Sequence, residues 1–232
     1  MFLELAKGTA LLLALCYLHG ANIRLWRQQP RLGQILSGLL FGGVCVLGLL
    51  SPLVLAPGVF VDARSVVLSM AGLFGGPVVA GLAAVIAAAW RLWVGGTGAY
   101  VGVIVIALST LLGLAYRMAR AQGRLDVRPM TLLVFGLLLH VAVLGIFQWL
   151  PPDIALRVNS LLPLPLLLVF TPATVVTGML LHDVENRQAT DQALTDSSAR
   201  LRAIATALPD VLLVLDAEGR YELAQEVLPV DA

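Results

Sequence analysis

The 232 residues are 59% hydrophobic and only 12% charged, with a mean hydropathy of +0.92, which excludes a chain covered mainly by water. The formal net charge of +1 conceals a split, because residues 1–182 carry eleven Arg and Lys against four Asp and Glu, whereas residues 183–232 carry four against ten. A light positive excess in short loops fits membrane topology and not nucleic-acid binding, so the expected partner is a lipid bilayer and no nucleic acid.

About 20 apolar residues are needed to cross a bilayer core of about 30 Å. Five runs meet that length, at 3–22, 34–55, 99–118, 129–150 and 160–182. The first carries Glu4 and a single lysine with no clear cleavage site, and is expected to be a retained helix, not a signal peptide. Cys16 and Cys45 lie mid-run and act as small hydrophobes. In the second run, Gly38, Gly42, Gly43 and Gly48 include small-xxx-small spacing, which serves packing within one subunit or dimerisation equally well.

Between the second and third runs lie two apolar helices, Asp62–Phe74 and Pro77–Val94, split by Gly75, Gly76 and Pro77. Short loops rich in arginine stay on the cytoplasmic side, and both 23–33 (Arg24, Arg27, Arg31) and 117–128 (Arg117, Arg120, Arg124, Arg128) qualify. The number of crossings between them must then be even, so the split segment starts and ends outside, as a re-entrant hairpin or as two short crossings. At about 1.5 Å per residue the first arm is short for a full span, which favours re-entry. The N-terminus is expected outside and the C-terminus inside.

Folding at the turn brings Arg64 and Arg91 toward one outer mouth, with Asp62 before the first arm and the loop from Gly95 and Gly96 through Thr97 to Gly98 after the second. Two guanidinium groups and one carboxylate leave a positive charge that a small anion, most simply a carboxylate, would neutralise. The competing reading has no ligand site: Arg64 pairs with Asp62 or a headgroup, and Arg91 snorkels to the interface beside Trp90 and Trp93. Thr97, Tyr100, Asn159 and Ser160 fall at the same expected face and rank below the arginines as pocket residues. His140, central in its run, reads as an interhelical hydrogen-bond partner. No His, Cys and acid cluster has metal spacing and no nucleophile has a base nearby, so no metal, cofactor or catalytic residue is expected.

The combination of Asp62, Arg64, the Gly72 to Pro77 stretch, Arg91 and the Gly95 to Gly98 loop resembles the LytS-type five-transmembrane receptor domain (5TMR-LYT) of bacterial signalling proteins. The resemblance covers about residues 30–185. It implies a sensor input domain in the bacterial inner membrane, ahead of histidine kinase or cyclic-di-GMP modules, with Arg64 and Arg91 at the family's ligand-binding positions and carboxylates such as pyruvate among the ligands. The small polar residues that some relatives carry on the following helix are replaced here by Gly102 and Val105.

After His182 the chain turns polar. Leu194, Leu201 and Leu208 fall seven apart, with Ile204 between the last two, as in a short coiled-coil seam of a signalling helix over 183–207 in a homodimer. From Leu208 the sequence reads strand, Asp-Ala-Glu-Gly turn, strand, and looks like the first hairpin of a PAS domain over 208–232, cut before its output. The expected whole is an all-α polytopic membrane protein: five transmembrane helices, a broken re-entrant hairpin, a cytoplasmic helix and a β-hairpin fragment. This chain is expected not to be an enzyme; a diguanylate cyclase, phosphodiesterase or histidine kinase would lie beyond it. A small-solute transporter and a passive dimerising anchor are the competing readings.

Overall fold

The computed structural model describes residues 2–50, 53–56, 59–207, 214–215 and 221–222. Met1 to Glu185 form one compact unit and Asn186 to Ala232 a second.

The first unit is built from helices. Their order is α1 (Phe2–Leu25), α2 (Pro30–Leu50), α3 (Arg64–Met70), a π-helical stretch (Ala71–Gly75), α4 (Gly76–Val94), α5 (Ala99–Ala121), α6 (Pro129–Phe147), α7 (Pro152–Leu161), the single turn α8 (Pro163–Pro165), a second π-helical stretch (Leu166–Phe170) and α9 (Thr171–Ala207). Five stretches among the described residues are long and apolar enough to cross a membrane: Pro30–Gly48, Arg64–Val94, Ala99–Ala121, Pro129–Phe147 and Leu166–Ile204. The chain is a multi-pass membrane protein.

Several expected boundaries need correction. The run at 3–22 lies within α1, which extends it to Leu25. The run at 34–55 ends as helix at Leu50, two residues before Pro52 in the sequence. Beyond it the β-branched sequence forms an unexpected antiparallel ladder, β1 (Leu53–Ala56) with β2 (Val59–Val61). The helix expected to start at Asp62 therefore starts at Arg64. The run at 129–150 stops at Phe147 and closes on tight turns ahead of Pro151. The expected single helix at 160–182 is interrupted at Leu162 and starts again at Pro163, a first-turn position where proline is tolerated, and from there it runs through the π-helical stretch Leu166–Phe170 into α9.

The break at Gly75, Gly76 and Pro77 is present. Gly76 takes φ 81° and ψ −173°, a conformation that needs glycine, so the helix does not run through even though both neighbours are helical. Arg117 of α5 donates from Nη1 to the carbonyls of Leu73 and Phe74 at 3.1 and 3.2 Å, satisfying acceptors that the break exposes. Both arms lie along α5, with the turn at its Arg117 end and Arg91 beside Gly102 near its other end.

Glycine makes these contacts close. A Cβ on Gly72 would stand 2.7 Å from the Leu114 amide nitrogen, and one on Gly113 would overlap the Ser69 carbonyl oxygen, so the π-helical arm and α5 touch backbone to backbone. On the other side, Gly38 and Gly42 of α2 face Leu82 and Ile86 of α4. Two of the second run's glycines therefore serve packing within the subunit, whereas Gly43 meets nothing within 4 Å.

Two buried histidines pair with hydroxyl groups across helices. His140 is fully buried, and its Nδ1 lies 2.6 Å from the Gly136 carbonyl, so that nitrogen carries the proton. Nε2 then accepts from the Ser65 hydroxyl of α3 at 3.4 Å, and the ring stacks on Phe170 beside Thr171, tying α3, α6 and α9 together. His19 meets the Ser37 hydroxyl at 3.1 Å between α1 and α2.

In the second unit, α9 continues to Ala207 with Leu194, Leu201 and Ile204 exposed. Leu208 lies outside the described residues. Val214–Leu215 pairs antiparallel with Tyr221–Glu222, as β3 and β4. The residues between them are likewise outside the described set.

Candidate functional site

The site begins where β2 ends. Asp62 Oδ1 accepts from the backbone N–H of Arg64 at 2.9 Å and from its Nε at 2.7 Å, so one carboxylate oxygen both starts α3 and fixes the first guanidinium. Both side chains are nearly buried, and Oδ2 of Asp62 has no hydrogen-bond partner among the described atoms. The expected pairing of Arg64 with Asp62 is realised.

Arg91 is the largest fully buried side chain among the described residues, at 1% exposure, against 8% for Arg64. Its Nη1 donates to the Gly95 carbonyl at 2.6 Å, just past the end of its own helix. The chain can fold back this tightly because Gly95 and Gly96 adopt φ of 67° and 90°. Snorkelling beside the tryptophans does not occur: Trp93 points outward at 84% exposure while Arg91 turns in against Gly102.

Both arginines line one cavity, completed by Gly98, Gly102, Val105, Phe147 and Leu150. It offers about 20 Å³ to a water-sized occupant, room for about one such molecule as it stands. The spacing that suggested convergence of Arg64, Arg91, Asp62 and the glycine loop thus describes neighbours in space, and Gly102 and Val105 do face the pocket.

The lower-ranked residues lie elsewhere. Tyr100 is 79% exposed. Asn159 exchanges two hydrogen bonds with Gln148 at 2.7 and 3.0 Å, and the Ser160 hydroxyl donates to the Arg157 carbonyl. Thr97 is exposed, and none of the four lines the cavity. Sequence reasoning missed Phe147 and Leu150; the signal was Pro151, which ends α6 and turns its last residues over the pocket. Among the described residues no group of three or more His, Cys, Asp or Glu could hold a metal ion, and Cys16 and Cys45 are free and buried.

A bundle of apolar helices in which two buried arginines, one of them paired with Asp62, line a small cavity defines a helical membrane domain with a buried basic site. The family model described as 5TMR of 5TMR-LYT matches residues 21–184, and the chain belongs to that family, which points to a membrane sensor domain of a signalling receptor. The comparisons with curated proteins and with solved structures gave no match.

Proposed function

We propose that this domain is the ligand-sensing input module of a bacterial inner-membrane receptor and that it binds a small extracellular anion, a carboxylate, between Arg64 and Arg91. The observation that carries this reading is the burial of both arginines on one cavity, since charged groups inside an apolar bundle are costly and are kept for function.

The topology that suits this role has α1, α2, α5, α6 and α9 as crossings, with the N-terminus outside and the C-terminus in the cytoplasm. The arms from Arg64 to Val94 then enter and leave at the outer face. The first arm, Arg64 to Gly75, is about 18 Å long at 1.5 Å per residue, short of the core thickness. Ligand binding is transmitted by repacking of this hairpin, through His140 between Ser65 and Thr171, to α9, whose continuation carries Leu194, Leu201, Ile204 and Leu208 as a parallel dimer seam toward a PAS domain and a cyclase or kinase output. Such coupling requires two arrangements with different ligand affinity.

The test is thermal stabilisation of the purified chain by a panel of small carboxylates, pyruvate among them. At least one stabilises the wild type, and Arg64→Ala and Arg91→Ala each abolish the shift. Arg→Lys at either position weakens it through loss of the planar fork. Undiminished stabilisation in both alanine variants refutes the site.

A further inference from the structure

The contacts of α9 bring the two arginine-rich connections of the first unit to one end of it. Cys16 Sγ lies 4.0 Å from the Thr177 carbonyl oxygen, and a Cβ on Gly20 would stand 3.2 Å from Val184, so α1 runs beside α9 in the same direction. The next residue of α9, Glu185, meets Nη1 of Arg120 at 2.7 Å, which places the end of α5 at the same turn. The connections from α1 to α2 and from α5 to α6 therefore leave the bundle side by side. Residues 20–33 carry three arginines and no acid, and residues 117–130 carry four arginines against Asp126. Even with Asp183 and Glu185 of α9 counted, seven cations stand against three carboxylates. Arg24, Arg27, Arg31 and Arg124 are exposed.

Exposed apolar side chains are interleaved with these charges: Leu25 and Trp26 in the first connection, Met118 and Met130 in the second. A soluble acidic partner would have to bury or strand them. A lipid surface suits both kinds of group, with acyl chains against the apolar residues, the indole at headgroup level and phosphates against the guanidinium forks. From this arrangement we propose that this end of the bundle binds the phosphate headgroups of anionic phospholipids, through the exposed arginines of both connections, beside Val184 and Glu185 of α9. A zwitterionic lipid carries the same phosphate, but its ammonium group faces the same arginines, so the surface selects net negative charge. The carboxylate site lies near the other end of α5 and is not needed for this reading.

Native mass spectrometry of the purified chain in detergent, titrated with phosphatidylglycerol and with phosphatidylcholine of the same acyl chains, tests it. An arginine near an anionic surface is worth about fivefold in affinity, so two or more should favour phosphatidylglycerol by about tenfold or more. Arg27→Gln and Arg124→Gln are each expected to weaken phosphatidylglycerol binding by about fivefold and to leave phosphatidylcholine unchanged. Arg157→Gln, at an exposed arginine of α7 outside both connections, should alter neither. Phosphatidylglycerol binding no tighter than phosphatidylcholine overturns the proposal. So does a full preference retained when Arg24, Arg27, Arg31 and Arg124 are all changed to Gln. Glycerol phosphate or an oligoglutamate peptide that competes as well as phosphatidylglycerol also overturns it, and would assign the surface to a free anion or to an acidic protein.

Discussion

Gly102→Ala tests whether the position of Arg91, and not its charge alone, makes the site. A Cβ at residue 102 would stand 2.7 Å from Arg91 Nε, 3.1 Å from Cγ and 3.2 Å from Cδ. Three contacts along the same side chain are all closer than ordinary van der Waals distance, so Arg91 must shift as a whole, and rotation of its tip does not relieve the overlap. The shift breaks the 2.6 Å bond from Nη1 to the Gly95 carbonyl and moves the guanidinium off the face it shares with Arg64. A hydrogen bond to a charged group is worth about 1.5–3 kcal/mol, so carboxylate affinity should fall by about 10- to 100-fold. Calorimetric titration of the variant against wild type reads this directly. Circular dichroism establishes that the helices remain. A Gly102→Ala protein that binds carboxylate with wild-type affinity refutes the placement of Arg91 in the pocket.

Three further outcomes follow from the packing. Gly113→Ala drives a methyl group into the Ser69 backbone, which cannot rotate away, and should cost about 3 kcal/mol in unfolding from detergent, whereas Gly43→Ala, facing open space, should be neutral or slightly stabilising through helix propensity. Equal stability of the two variants would contradict the close crossing of the π-helical arm and α5. His140→Ala removes the buried partner of Ser65 and a ring stacked on Phe170, and an unfolding titration should show a loss of about 2–4 kcal/mol. If the proposed seam pairs two chains, Leu201→Glu should turn a dimer into a monomer by light scattering in detergent, and an unaltered dimer would place the interface elsewhere.

The membrane class and the crossing segments were legible because apolar length is a one-dimensional property, readable without knowing what packs on what. Arg64, Asp62 and Arg91 were legible for a related reason: the Gly-Gly-Pro break sets where the chain reverses, and the distance of each arginine from it sets the shared level. What the sequence hid were choices decided by neighbours. The Leu53–Ala56 ladder looked like the end of a helix, because its apolar residues suit either element and only the pairing with Val59–Val61 decides. Asn159 and Ser160 were assigned to the pocket by their level in the membrane, but level leaves the direction of a side chain free, and Asn159 turns to Gln148.

Arg91 shows the same limit in reverse. Flanked by Trp90 and Trp93, it carries the local signature of an interfacial arginine reaching outward. Its inward course depends on two features that are not adjacent to it in the chain. Gly102 provides a wall without a side chain, and the positive-φ pair Gly95 and Gly96 turns a carbonyl toward its guanidinium. A side chain at residue 102 would close that inward path and leave the outward rotamer as the cheaper one. Whether Arg91 anchors the helix at the membrane surface or lines a pocket is thus decided by a glycine eleven residues away, and neighbouring tryptophans are no guide to it.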